Sequence, residues 1–181
     1  MPGMFFLILI VVLVVIIGAL YNGLVKSRQL ARAGWSDIDV QLKRRADLIP
    51  RLVSVVQGYA KHERDLFIDI TQRRMAAMTA GEDPKARAGA EAALGRSATK
   101  LIALAEDYPD LKASENFLDL QNQLLQTEDK IEMARRFYNG AVRELNIKVK
   151  TVPSNFIAGP FGFKTVEYFE ADESDRSVPN V

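Results

Sequence analysis

Residues 4–21 read MFFLILIVVLVVIIGALY, 18 positions with no charge, 17 of them hydrophobic. At 1.5 Å of rise per residue the run covers about 27 Å, the thickness of a bilayer core. Its Leu, Ile, Val and Phe side chains together favour insertion by roughly 4 to 8 kcal/mol, with no charge opposing them. This stretch decides the architecture: residues 1–3 are a short outer N-terminus, 4–21 a transmembrane helix, and everything else hangs from it. A cleaved signal peptide is the competing reading. It lacks the basic residue that should precede the run, and Gly18-Ala19-Leu20 leading into Tyr21 is not a small-x-small cleavage site.

Flanking charge sets the direction. Nothing basic precedes the run except the amino terminus, whereas Lys26, Arg28 and Arg32 follow it closely. The positive-inside rule then puts the N-terminus outside and the following domain in the cytoplasm. Three juxtamembrane basic residues are fewer than a specific lipid-recognition cluster uses, so their expected role is topology.

Outside the anchor the hydrophobic share falls to about 43%, a modest soluble domain. The absence of cysteine excludes disulfides, zinc–thiolate sites and cysteine nucleophiles. One histidine excludes a multi-histidine metal site within a single chain, and a net charge of +1 argues against nucleic-acid binding.

Periodicity makes the rest helical. From Trp35 a three–four alternation runs through Ile38, Leu42, Ile49, Leu52, Val56, Tyr59, Leu66, Ile70 and Ala77, interrupted by Arg45, Glu63 and Arg73. A second stripe, coiled-coil-like in spacing, runs from Ala113 through Phe117, Leu124, Ile131 and Tyr138 to Leu145. A shorter helix between them starts at Asp83-Pro84 and stops at Tyr108-Pro109. Pro50 lies in phase within the first stripe. One kinked helix from Trp35 to Thr79 gives three segments of about 67, 33 and 60 Å, whereas a break near Ala46-Asp47 gives about 34, 48, 33 and 60 Å. The second set packs better, so the expected fold is all-α: an antiparallel up-and-down four-helix bundle over 22–152 behind the transmembrane helix. Three helices, the first kinked at Pro50, are the alternative.

Residues 153–169, PSNFIAGPFGFKTVEYF, hold four of the nine phenylalanines. Their glycines and prolines argue against a helix, and their apolar content against a solvated linker. Phe156, Phe161, Phe163 and Phe169 either cover the end of their own bundle or form an interface with the bilayer surface or a neighbouring subunit. Residues 170–181, EADESDRSVPNV, read as a disordered acidic tail. Charge is polarised: 22–46 carries six basic and two acidic residues, 167–181 five acidic and one basic.

Specific residues carry a family resemblance. Tyr21-Asn22-Gly23-Leu24-Val25, Trp35-Ser36-Asp37-Ile38-Asp39-Val40-Gln41-Leu42, Asp47-Leu48-Ile49-Pro50 and Gly58-Tyr59-Ala60-Lys61-His62-Glu63 resemble the LemA family. So do Tyr108-Pro109-Asp110-Leu111, Ala134-Arg135-Arg136-Phe137-Tyr138-Asn139, Pro153-Ser154-Asn155 and Gly162-Phe163-Lys164, in order along nearly the whole chain. The resemblance implies a bacterial single-pass protein of the inner membrane with a helical bundle, and no assigned catalytic residue.

No catalytic, cofactor or metal site is expected. His62-Glu63 lacks the second histidine of a zinc-protease helix, because position 66 is leucine, and lacks the Glu-x-x-His of a di-iron bundle, because position 59 is tyrosine. Arg45, Glu63 and Arg73 either pair across helices or, the favoured account, reach solvent from half-exposed stripe edges. The expected function is therefore a non-catalytic, membrane-anchored interaction or scaffold module that self-associates as a homo-oligomer. The alternatives are a metal-dependent accessory protein using His62 with Glu63 and Asp65, or an adaptor for a membrane protease or transporter.

Overall fold

The computed structural model describes residues 2–170, which form helices α1 (Pro2–Tyr59), α2 (Arg64–Thr79), α3 (Pro84–Leu104), α4 (Pro109–Lys112), α5 (Glu115–Lys150) and α6 (Asn155–Ala158). A 3₁₀ turn, Ala105–Asp107, follows α3, and there is no strand among the described residues. The fold is all-α, as the periodicity predicts. Two compact units divide the chain, one built from 2–35 and 136–166, the other from 36–135 and 167–170. The acidic tail expected over 170–181 lies, apart from Glu170, outside the described residues.

In the first unit the early part of α1 runs antiparallel to the end of α5. Gly34 faces Tyr138 so closely that a Cβ would stand 3.0 Å from the Tyr138 Cα, so any side chain there would push the two backbones apart. Further along, Lys148 Nζ donates to Ser27 Oγ at 2.7 Å and to the Gly23 carbonyl at 3.4 Å. Leu24, Ala31, Ala141, Val142 and Leu145 are buried between these points. Small residues on both helices permit the close approach and Leu fills the remainder. Asn146 clasps the returning chain at two points, its Nδ2 donating to the Val166 carbonyl at 2.9 Å and its Oδ1 accepting from the Val166 N–H at 2.8 Å. Up to Ile16, α1 is bare: every large hydrophobic from Met4 to Ile16 is exposed. The segment is long and apolar enough to cross a membrane, and none of its apolar window is buried.

In the second unit the core is apolar and drawn from five helices. Ile49, Leu52 and Val56 of α1, Ile70 and Ala77 of α2, Leu94 and Leu101 of α3, Leu111 of α4, and Phe117 and Leu124 of α5 are all buried. These are largely the stripe residues, so the three–four spacing identifies the inward face correctly. Helix α3 starts as its sequence directs. Asp83 Oδ1 accepts from the Lys85 and Ala86 N–H groups at 2.9 and 3.2 Å, and Pro84 occupies the first turn. Tyr108 is extended, with φ −123° and ψ 88°, as the residue before a proline prefers, and α3 with its 3₁₀ turn ends there.

The break expected near Ala46-Asp47 is absent; α1 passes through Pro50 without ending. Proline lacks the N–H that would bond the carbonyl four residues back, here that of Ala46. Arg74 of α2 supplies the missing donor, its Nε lying 2.6 Å from the Ala46 carbonyl. With that acceptor satisfied, the helix continues for nine more residues. It ends instead after Gly58-Tyr59, where Ala60, buried in the core, begins a short turn through Lys61 and His62. The Phe-rich segment also differs from expectation at one place. Asn155–Ala158 makes a single helical turn between Pro153 and Gly159.

Candidate functional site

Two clusters carry the chemistry available, one in each unit. In the first unit the centre is Tyr21, the last residue of the apolar run. Phe161 meets it edge-on with ring centroids 5.0 Å apart, and Phe163 does so at 5.8 Å. Phe163 is buried against Leu24 and Ala158, and the Arg28 guanidinium lies 4.6 Å from its ring centroid. Each aromatic edge meets a ring face and the cation meets a π-face, the arrangements ring quadrupoles favour. Phe161 remains 55% exposed and Phe156 69% exposed. Of the basic residues that follow the apolar run, Arg28 is thus half-buried in this cap, whereas Lys26 and Arg32 are exposed. Phe169, the fourth aromatic candidate, lies in the second unit, buried and 5.7 Å from the Arg135 guanidinium.

The second cluster surrounds Arg45, which is 4% exposed. Its guanidinium donates to Glu91 Oε2 at 2.5 Å, to the Glu91 carbonyl at 2.9 Å, and to both oxygens of Glu128 at 3.0 and 3.1 Å. Arg87 extends the network, bonding Glu91 Oε1 at 3.1 Å and Asp39 Oδ1 at 3.2 Å. Gly95 leaves the room that the guanidinium occupies, since a Cβ there would sit 3.3 Å from Nη1. Burial works against the Arg45 charge, but Glu128 and Glu91 outweigh it and hold the guanidinium above its ordinary pKa. The favoured reading of Arg45 as a side chain reaching solvent is therefore overturned. Carboxylates from α3 and α5 pair the buried charge, so it is satisfied without reaching water. Beside the network lies a cleft of about 210 Å³ lined by Leu42, Glu128, Arg135 and Phe169 among others.

Arg73 behaves closer to expectation. It is half-exposed and pairs with Asp69 four residues earlier, at 2.8 Å. Asp69 also accepts from Ser97 Oγ of α3 at 2.6 Å. The Arg73 and Ser97 hydrogen bonds hold the Asp69 carboxyl below the ordinary aspartate value. Glu63 stands at the N-cap of α2 without capping it through its side chain. His62 is exposed in the turn before α2, and among the described residues no group of three or more His, Asp or Glu is placed to hold a metal ion. The sequence did not single out Glu91, Glu128 or Arg135. The one signal was Arg45 itself, a charge in phase with an apolar stripe.

Fold and clusters define a class: an all-helical protein with an apolar N-terminal helix of membrane-spanning length, whose polar residues of note bind one another. A model of the LemA family matches residues 34–181. The chain belongs to the LemA family. It is 26% identical over 175 residues to magnetosome protein MamQ 2 of Paramagnetospirillum magneticum, covering 83% of this chain and 64% of that protein. It is 25% identical over 174 residues to magnetosome protein MamQ of Magnetospirillum gryphiswaldense, covering 82% and 64%. Protein LemA of Metamycoplasma hominis is 26% identical over 155 residues, covering 86% of this chain and 71% of that protein. The chain thus spans less than two thirds of the length of the MamQ relatives.

Proposed function

We propose that the protein is a single-pass, membrane-anchored scaffold without catalytic activity, which self-associates in the plane of the inner membrane. In this reading 4–21 spans the bilayer, the N-terminus lies outside, and the remaining helices form an antiparallel bundle on the cytoplasmic side. The observation that carries it is a stripe of exposed apolar side chains on α2: Ile68, Met75 and Met78 are 55, 60 and 55% exposed and share one face by helical spacing. A soluble monomer gains nothing from such a stripe, whereas chains confined to a membrane meet at raised effective concentration and can bury it weakly but usefully. Leu118 and Leu125 of α5, seven residues apart and both exposed, offer a second face of the same kind.

Chemical cross-linking of the full chain in native membranes tests this. Dimers and larger species are expected for the wild type, and Met75→Glu with Met78→Glu should remove them while leaving the helical content intact. A chain that stays monomeric, or whose cross-linking ignores both substitutions, overturns self-association. Co-purification of a stoichiometric membrane protease or transporter with a monomeric chain would favour the adaptor reading instead.

A further inference from the structure

The antiparallel pairing of α1 with α5 sets the level at which the Phe-rich segment emerges. Gly34 faces Tyr138 and Lys148 reaches Ser27 and Gly23, so each step toward the C-terminus of α5 is a step back along α1 toward the anchor. Continuing that register brings Val152 level with Leu20 and Tyr21, where the apolar run ends. The chain then turns, and Phe161 and Phe163 return to pack on Tyr21 itself. Phe163 is covered within the unit, but Val152, Phe156 and Phe161 are 69, 69 and 55% exposed. Lys26, Lys150 and Lys164 are exposed around the same end of the unit.

We propose that Phe156, Phe161 and Val152 enter the headgroup–acyl boundary of the bilayer beside the anchor, with the neighbouring lysines meeting anionic phosphates. The protein would then hold the membrane twice, once by a spanning helix and once by an interfacial aromatic cap. The inference rests on the anchored reading above. Two observations select lipid over a second copy of the chain. The exposed surface of Phe161 is continuous, through Tyr21, with the bare apolar surface of the anchor, which has to sit in hydrocarbon. The exposed charges nearest the cap, Lys26, Lys150 and Lys164, are of one sign, which suits an anionic lipid surface and opposes the approach of an identical cap. Phenylalanine is among the apolar residues that interfacial segments bury at the headgroup–acyl boundary.

Depth-dependent fluorescence quenching tests the proposal on the full chain, reconstituted into phosphatidylcholine–phosphatidylglycerol vesicles containing phosphatidylcholine brominated at shallow or deep acyl positions. Trp35 is the only tryptophan, so Trp35→Phe provides a silent background for Phe156→Trp, Phe161→Trp and, as the anchor reporter, Leu13→Trp. Shallow bromines should remove most of the emission at 156 and 161, and deep bromines most of it at 13. If 156 and 161 keep their emission while 13 is quenched, the cap does not enter the bilayer and the proposal fails. Emission at 156 and 161 that is shielded from both lipid bromine and aqueous iodide, in proportion to protein density, assigns the surface to a second copy and also overturns it. An unquenched Leu13→Trp removes the anchored reading itself. A nitroxide on Phe156→Cys, its depth read by oxygen against nickel relaxation, gives the same answer with Trp35 intact.

Discussion

Arg45 occupies a position where the spacing of α1 asks for an apolar side chain, and it is held there by Glu91, whose side chain is as deeply buried, and by Glu128, whose side chain is 40% exposed. Removing one partner of such a pair leaves a charge without compensation. Glu91→Ala should cost about 3 kcal/mol, toward the lower end for buried pairs because Glu128 still faces the guanidinium. Denaturant titration in mild detergent measures it. Replacing Arg45 by Met together with Glu91 by Leu should cost less than Glu91→Ala alone, because the buried charges leave together. The Asp69 carboxyl titrates lower in the folded chain than in the unfolded one, so its contribution is present above about pH 4 and fades as pH falls through the lowered value. Stability curves of the wild type and Asp69→Asn should therefore separate at neutral pH and converge in acid. Sequence alone shows that Arg45 is misplaced but not how it is satisfied, since Glu91 and Glu128 lie 46 and 83 residues away. Local spacing carries no information about which distant carboxylate a folded chain brings near.

Among the elements, those set by local chemistry are legible in advance. Asp83-Pro84 starts α3 and Tyr108-Pro109 stops it, because a cap and a proline act within a few residues of themselves. Pro50 acts through a residue on another helix, and there the sequence misleads. Its length argument favours a break that the Arg74 hydrogen bond to the Ala46 carbonyl makes unnecessary. The two residues should then be coupled. Arg74→Met in the natural chain strands a part-buried carbonyl and should cost about 1 to 3 kcal/mol. In a Pro50→Ala background the alanine N–H serves that carbonyl, so the same substitution should cost markedly less. A double-mutant cycle by thermal or denaturant unfolding reads the difference, and additive effects would show that Arg74 has no part in carrying α1 past the proline. The Phe-rich segment is half legible. Its composition marks it as apolar and irregular, but only the fold separates Phe163 and Phe169, which are buried, from Phe156 and Phe161, which are exposed.

At the scale of the whole molecule, the charge polarity of the sequence and the bare N-terminal run make one prediction about direction. The chain has no cysteine, so a single cysteine added at the C-terminus is a clean reporter. It should resist a membrane-impermeant maleimide in intact cells and react once the cells are opened. Rapid labelling of intact cells reverses the proposed orientation. The all-α class was legible because periodicity survives averaging over many residues, and the apolar N-terminal run because it needs no tertiary partner to be recognised.

One consequence of α1 concerns angle. The helix is unbroken from Pro2 beyond Trp35, so no swivel separates the bare apolar run from the face of Leu24, Ser27 and Ala31 that docks on α5. The azimuth of the run is therefore locked to that docked face, so in the proposed anchored state every copy turns the same side chains toward lipid. Each inserted residue advances a helix by about 100°. A single alanine placed after Gly18 would re-clock the run as a key cut at the wrong angle, and three further alanines would bring it close to its original phase.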